Sequence, residues 1–440
     1  MLKSIKSKTQ FVSADDAVKC IKSGDNVYVH ANCSFPLTLI NSLCSRYEEL
    51  KNVNIIQLMS FLDAPYVRPE MEGHFNLISL FTGANVRKAV HEGRADFIPV
   101  FLSEIPILLK NKKLPVDVCL LHLSPPDTHG FCSLGVSNEC TKTAAENSRI
   151  IIAQINPKMP RVLGDNFIHI DKIDFAVEVN DEIPEFINQK IAQGEELKAY
   201  EKIGQNIASL IDNGSTLQMG IGIIPDMVLQ FLNDKKDLGV HTEMFSDNLI
   251  NLIESGVING ERKTLLPGKV VSTFILGSKK VFDYIDDNPV FEFRPTIFVN
   301  DPFVIARNDK MISINSALEV DLTGQVCADS IGHKNYSGFG GQLDFIRGAS
   351  RSEGGIPIIA FTSTAKGGTL SRISPFLKQG AGVTTTRADV HYIITEYGIA
   401  DIYGKTVRER ARSLIEIAHP DFREELEKYA YEVNFLRKNI

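Results

Sequence analysis

"IKSGDNVYVHANCSFPLTLINSL", residues 21 to 43, is echoed by "IDNGSTLQMGIGIIPDMVLQFL", residues 211 to 232. Each reads as the end of a helix, a glycine, a short apolar strand, a loop of small residues, a proline and a second helix. Gly24 and Gly214 lie 190 residues apart, and Pro36 and Pro225 lie 189 apart. The match indicates two related α/β halves. The ordinary grammar of strand-to-helix units also generates short matches of this kind, so both readings stay open on this pair alone.

Outward from the pair, apolar β-branched runs alternate with helical periodicity. They are "DNVYVHA", "NVNIIQLMS", "ADFIPVFL", "VDVCLLHLS" and "RIIIAQIN" early, then "KVVSTFIL", "RPTIFVN", "GIPIIAF" and "DVHYIITE". Continuous rather than alternating apolar strands separated by helices predict largely parallel sheets covered on both faces. At 440 residues the chain exceeds one core. We expect two α/β domains, 1–195 and 196–440, parted near the polar helix "NQKIAQGEELKAYEKIGQNIASL".

A net charge of −7 gives no general attraction to nucleic acid or to an anionic membrane, so an anionic ligand must be held by local groups. The N-terminal stretch "MLKSIKSKTQFVSADDAV" lacks an apolar core, and no window reaches about 18 uncharged apolar residues. Together these predict a cytoplasmic protein. Seven cysteines, an odd number with no C-x-x-C pair, read as reduced, packed thiols.

Five stretches are able to carry chemistry. In "STLQMGIGIIPDMVLQFL" a strand ending at Met219 runs into Gly220, Gly222 and Pro225. Glycines there let a ligand approach the backbone, and the helix behind offers free N–H groups to an anion. Pro225 replaces the third glycine of a dinucleotide fingerprint, and a plain tight turn is the alternative. In "LGVHTEM" Glu243 sits at the carboxyl end of a strand, before a helix that Gly256 closes. Ligands bind at that rim of open α/β sheets, and a solvated loop glutamate is the other reading. "YSGFGGQLDFIRGASRSEGG", residues 336 to 355, reads as a glycine loop whose Gly340 and Gly341 amides form an anion or oxyanion nest, with Arg347 and Arg351 adding charge. Its purely structural reading stays open. In "TSTAKGGTLSRISPFLKQG", Lys366 and Arg372 with hydroxyls suit a phosphate, or simply face solvent. "HLSPPDTHGFCSLG" gathers His122, Asp127, His129 and Cys132, but the spacing fits no zinc pattern and reads as turn chemistry, so no metal is expected.

Taken in order, "HLSPPDTHGFCSLGVS", "NPKMPRVLGDNFIH", "GIGIIPDMVL", "LGVHTEMFSD", "INSALEVDLTGQV", "GFGGQLDFIRGA" and "VHYIITEYGIADIYGKTVRERARSLIEIAHPDFREEL" resemble the class I CoA-transferases over nearly the whole chain. Within them the resemblance is to the acetyl-CoA hydrolase/transferase family, on the branch of 4-hydroxybutyrate and butyryl-CoA:acetate CoA-transferases. It implies two open α/β domains of the kind shared with sugar-phosphate isomerases, with the active site between them. It further implies that Glu243 is the nucleophile. Gly338, Phe339, Gly340 and Gly341 would belong to the oxyanion and CoA-binding loop, and Gly220 and Gly222 would line the same cleft. Asn315 would orient the acyl carbonyl or the glutamate, while Gln218 and Met219 would approach the acyl group. Coenzyme A would be a substrate, with no tightly bound cofactor. The partners expected are acyl-CoA and short-chain carboxylates, with a homodimer or homotetramer as the assembly. Two competing readings are a true acyl-CoA hydrolase using the same glutamate, and a non-catalytic acyl-CoA or sugar-phosphate sensor. The sensor would need a nucleic-acid or partner segment that the sequence does not display.

Overall fold

The computed structural model describes residues 8–187, 192–220 and 222–437. The first seven residues, and 188–191 of the expected polar helix, lie outside them. The chain divides into two compact units. The first comprises Met1–Ile187, Glu243–Asp247 and Val271–Val299. The second comprises Asn188–Thr242, Asn248–Val270 and Asn300–Ile440.

The first unit is built on eight strands: β1 Gln10–Phe11, β2 Asn26–Val29, β3 Val53–Gln57, β4 Phe75–Ser79, β5 Ala95–Phe97, β6 Val118–Leu123, β7 Ile150–Ile155 and β8 Phe175–Glu178. They lie in the order β1-β8-β7-β6-β2-β3-β4-β5, every neighbouring pair parallel. Val27 and Val29 of β2 enter one apolar cluster with Leu39 and Ile40 of helix α1, Leu37–Ser45. Tyr28 enters the opposite cluster with Cys119 and Leu121. Successive side chains of a strand point to opposite faces, so a sheet covered on both sides needs apolar residues at every position. That is why these strands read as unbroken apolar runs.

The second unit uses β9 Thr216–Met219, β10 Gly239–His241, β11 Met311–Asn315, β12 Ile356–Ala360, β13 Tyr392–Thr395 and β14 Gly398–Asp401. Their order is β10-β9-β11-β12-β13-β14, parallel up to β13, with β14 antiparallel at the edge. Helix α2, Gly194–Ala208, precedes β9, and α3, Ile223–Gln230, follows it. Further on lie α4, Gln342–Arg351, α5, Val407–Glu416, and α6, Pro420–Glu432. A capping box on Thr406 and Glu409 starts α5.

The path is the same in both units. From β2 the chain steps outward through β3, then returns to the other side of β2 as β6 and continues to β7. From β9 it steps to β10, then returns as β11 and continues to β12. This shared path agrees with the two related halves read from the glycine and proline echo. One expected strand is absent: in "RPTIFVN", residues Thr296–Val299 form a helical turn, with Phe298 and Val299 donating to the Pro295 carbonyl. Among the described residues no helix is long and apolar enough to cross a membrane.

Candidate active site

In a parallel sheet the direction of the connections reverses where two neighbouring strands send their following helices to opposite sides, and a crevice opens at their carboxyl ends. In the second unit that point lies between β9 and β11. Gln218 and Met219 end β9, and both are buried. Asn315 ends β11, and its Nδ2 donates to Gln218 Oε1 at 3.2 Å. Gly220 follows Met219 directly. Gly222, at φ +125°, caps α3 in a backbone conformation that L side chains rarely adopt. The structure thus brings Gln218, Met219, Gly220, Gly222 and Asn315 to one reversal point.

The glycine-rich stretch divides differently from expectation. Its loops are 336–341 and 352–355, because Gln342–Arg351 between them forms α4. Gly338 and Gly341 are buried, Phe339 and Gly340 half-buried. Gly340 has φ +54°, and Gly341 caps α4. A ten-residue helix presents its positive end there. Arg347 and Arg351 do not supply loop charge. Arg347 pairs with Asp389 at 3.0 Å, and Arg351 donates to the Arg347 carbonyl at 2.8 Å. Gly348 lies inside the helix, packed on Ile305.

Lys366 sits at the tip of a hairpin whose arms are Thr364–Ala365 and Leu370–Ser371, in a left-handed conformation at φ +51°. With Arg372 it lines a cavity of about 750 Å³ that also takes in Glu195, Glu196 and Glu396. Burial pulls the Arg372 guanidinium below its usual value, opposed by Tyr200 and Glu396. A phosphate here would meet carboxylates as well as cations.

Glu243 lies two residues beyond β10, after Thr242, and is half-buried. Its carbonyl accepts three hydrogen bonds, from Thr273 N at 3.1 Å, Phe274 N at 3.0 Å and Ser272 Oγ at 3.1 Å. The next two residues, Met244–Phe245, pair in parallel with Phe274–Ile275. The main chain carrying this carboxylate is therefore fixed on both sides of the residue. Beyond it, Asp247 accepts from Ser278 N at 2.9 Å and Ser278 Oγ at 2.5 Å, and Gly256 at φ +78° ends the following helix.

The His122 group resolves into turn and core. Asp127 accepts from His129 N at 2.9 Å and Phe131 N at 3.0 Å, with Gly130 at φ +87°. His122 is buried and pulled to about 3 by burial, with Asn156 at 3.0 Å from its Nε2. Cys132 is buried in a short strand. Sequence reading passed over one buried carboxylate altogether. Glu139 has no exposed surface, accepts from Asn32 Nδ2 at 2.9 Å and Thr141 Oγ1 at 2.9 Å, and is pushed up to about 7 by burial.

Family models for the acetyl-CoA hydrolase/transferase N-terminal and C-terminal domains match residues 4–188 and 277–430. The chain is 48% identical over 419 residues to 4-hydroxybutyrate coenzyme A transferase of Clostridium kluyveri, covering 95% of this chain and 96% of that protein. It is 48% identical over 424 residues to succinyl-CoA:acetate/propanoyl-CoA:succinate CoA transferase of Fasciola hepatica, covering 96% and 87%. The crystal structure of 4-hydroxybutyrate CoA-transferase from Porphyromonas gingivalis superimposes with a TM-score of 0.82 at 41% identity, covering 97% of each chain.

Proposed function

We propose that this chain, which belongs to the acetyl-CoA hydrolase/transferase family, is a CoA-transferase that moves coenzyme A from a short-chain acyl-CoA to a carboxylate acceptor. The observation that carries the reading is Glu243, a carboxylate whose main chain is pinned by three donors just beyond the end of a sheet strand. Names of relatives sharing nearly half the residues support the class of substrate. Acceptors consistent with those names and with the resemblance are 4-hydroxybutyrate, butyrate, acetate and succinate.

A transferase must keep CoA on the enzyme while one acid leaves and another enters. A carboxylate does this and a serine does not. Glu243 attacks the acyl-CoA carbonyl, the C–S bond breaks, and CoA thiolate departs from a mixed anhydride. The thiolate attacks the glutamyl carbonyl of that anhydride, the C–O bond breaks, and the first acid leaves as its carboxylate. Enzyme now carries a glutamyl-CoA thioester. The acceptor carboxylate repeats the two steps in reverse, forming a new anhydride and then a new acyl-CoA, with Glu243 returned as carboxylate. Every nucleophile is an anion, so no general base is needed.

Thioester exchange between simple acids is nearly thermoneutral, while the anhydride lies high in energy. Binding of the distant nucleotide and pantetheine arms offsets that strain. In this reading Gly340 and Gly341 are oxyanion donors, each worth about 3 kcal/mol. Asn315 and Gln218 orient the acyl group beside Met219, Gly220 and Gly222. Gly338 and Phe339 belong to the CoA-binding loop, and Lys366 and Arg372 are candidates for the phosphates. Coenzyme A acts as substrate. A cytoplasmic setting suits the seven unpaired cysteines.

The test is acceptor dependence. Thiol release from acyl-CoA is measured with and without a carboxylate acceptor. A transferase turns over only with the acceptor, whereas full speed without it identifies a hydrolase.

A further inference from the structure

At the carboxyl ends of β2 and β6 the first unit buries a polar cluster that the chemistry above leaves unused. Asn32, Ser137, Glu139 and Thr141 have no exposed surface. Asn32 Nδ2 and Ser137 Oγ both donate to Glu139 Oε1, the former at 2.9 Å, and Thr141 Oγ1 donates to Oε2 at 2.9 Å. Three donors suit a carboxylate, which only accepts.

Such a cluster is an expensive way to fill a core, because a buried charge must overcome several kcal/mol of desolvation. Backbone strain is added to that. Asn32 stands at φ +54° and Glu139 at φ +24°, conformations that cost about 1–3 kcal/mol each and persist only where the surroundings over-determine them. What the cluster holds is therefore the question.

It holds a strip of main chain. The Ser137 carbonyl accepts from His30 Nε2 at 2.5 Å, and His30 Nδ1 accepts from His122 N at 3.2 Å. Ser137 forms an antiparallel bridge with Phe274. Asn138 N donates to Thr273 O at 2.8 Å, and Ile275 N donates to Val136 O at 2.8 Å. On the opposite edge of the same short strand, Thr273 and Phe274 donate to the Glu243 carbonyl. The strand Phe274–Ile275 thus lies between residues 136–138 and the segment that carries Glu243. Thr273 serves both sides, accepting at its oxygen and donating at its nitrogen.

We propose that Glu139 is a positioning residue: gripped by Asn32, Ser137 and Thr141, it fixes the 136–139 strip and, through Thr273 and Phe274, sets the main chain of Glu243. This inference rests on Glu243 being the nucleophile.

The experiment compares full-length wild type with Glu139→Gln. Acyl-CoA is added without acceptor, the reaction is quenched with borohydride or hydroxylamine, and modification of the peptide containing Glu243 is followed by mass. Steady-state transfer is measured in parallel. Glu139→Gln is expected to hold the KM for acyl-CoA within about twofold while lowering kcat and the labelling rate on the order of 10- to 100-fold, the scale of a misplaced reacting group. Ser137→Ala, which leaves the carboxylate two donors, is expected to shift kcat the same way by a smaller factor, and it carries the test if Glu139→Gln does not fold. Labelled wild type with unchanged kcat and labelling rate in the folded variant overturns the positioning role alone. An unlabelled wild type that still turns over overturns the reading of Glu243, and this inference with it.

Discussion

The side chain of Asn315 donates to that of Gln218 across 3.2 Å, tying the last residue of one parallel strand to the penultimate residue of its neighbour at the point where the strand order reverses. The bond orients an amide at the rim of the sheet without using up Asn315, which is half-buried and keeps its own oxygen and second N–H for another partner. Asn315→Ala is expected to lower kcat for CoA transfer by roughly 100- to 1,000-fold, the range for removing one preorganised donor. Gln218→Ala should cost less, since it removes only the orienting acceptor. Steady-state kinetics of both variants, with thermal unfolding as the control for folding, decide the matter.

Glu243→Gln is expected to abolish acceptor-dependent transfer and the trapped adduct together. The substitution keeps the size of the side chain and leaves the three hydrogen bonds to the main-chain carbonyl in place, so thermal unfolding serves as the folding control. Retained transfer in the folded variant would contradict the nucleophile assignment.

A Cβ at Gly348 would stand 2.4 Å from Ile305 Cγ2, and Ile305 is wholly buried. Ile305 Cβ is also only 2.5 Å away, so turning that side chain about its own Cα–Cβ bond does not clear the contact. Gly348→Ala should therefore destabilise the protein by about 1–3 kcal/mol despite the gain in helix propensity. Chemical denaturation reads this directly, as a lower midpoint.

Burial raises Glu139 from the ordinary value of 4.5 to about 7, so the folded protein holds this proton more tightly than the unfolded chain. Its contribution to stability is whole below about pH 4.5 and is lost as the pH rises through about 7. That amounts to on the order of 3 kcal/mol. The titratable groups facing it stay neutral over that window. Burial drives the Tyr28 hydroxyl and the Cys140 thiol upward and pulls His30 down to about 4. Wild type should accordingly lose stability relative to Glu139→Gln between pH 4.5 and 7.5. Parallel pH-dependent curves for the two proteins would count against it.

Local signals found most of the architecture. The doubled glycine-strand-proline pattern matches the shared strand path, because each copy contains its own turn, strand and helix start. The central strand Met311–Asn315 escaped notice as a strand, since five residues between polar turns carry too little periodicity to separate from a helix fragment. "RPTIFVN" misled in the other direction. Its β-branched residues suit a strand, yet they turn around Pro295 because packing overrides propensity. Glycine density hid α4, whose apolar face of Leu343, Ile346 and Ala349 is regular once the loop is cut at Gly341. For Glu139 no local signal exists. It is buried by Asn32, 107 residues away, and a charged residue before a helix otherwise reads as a solvated turn.

The chain passes between its two compact units five times, after residues 187, 242, 247, 270 and 299. During synthesis, then, the first unit cannot finish folding when its opening 187 residues have left the ribosome, because two of its pieces arrive only after part of the second unit has been made. One of those pieces is the strip Glu243–Asp247. Expressing the halves from separate genes split near residue 190 would leave the N-terminal product without it.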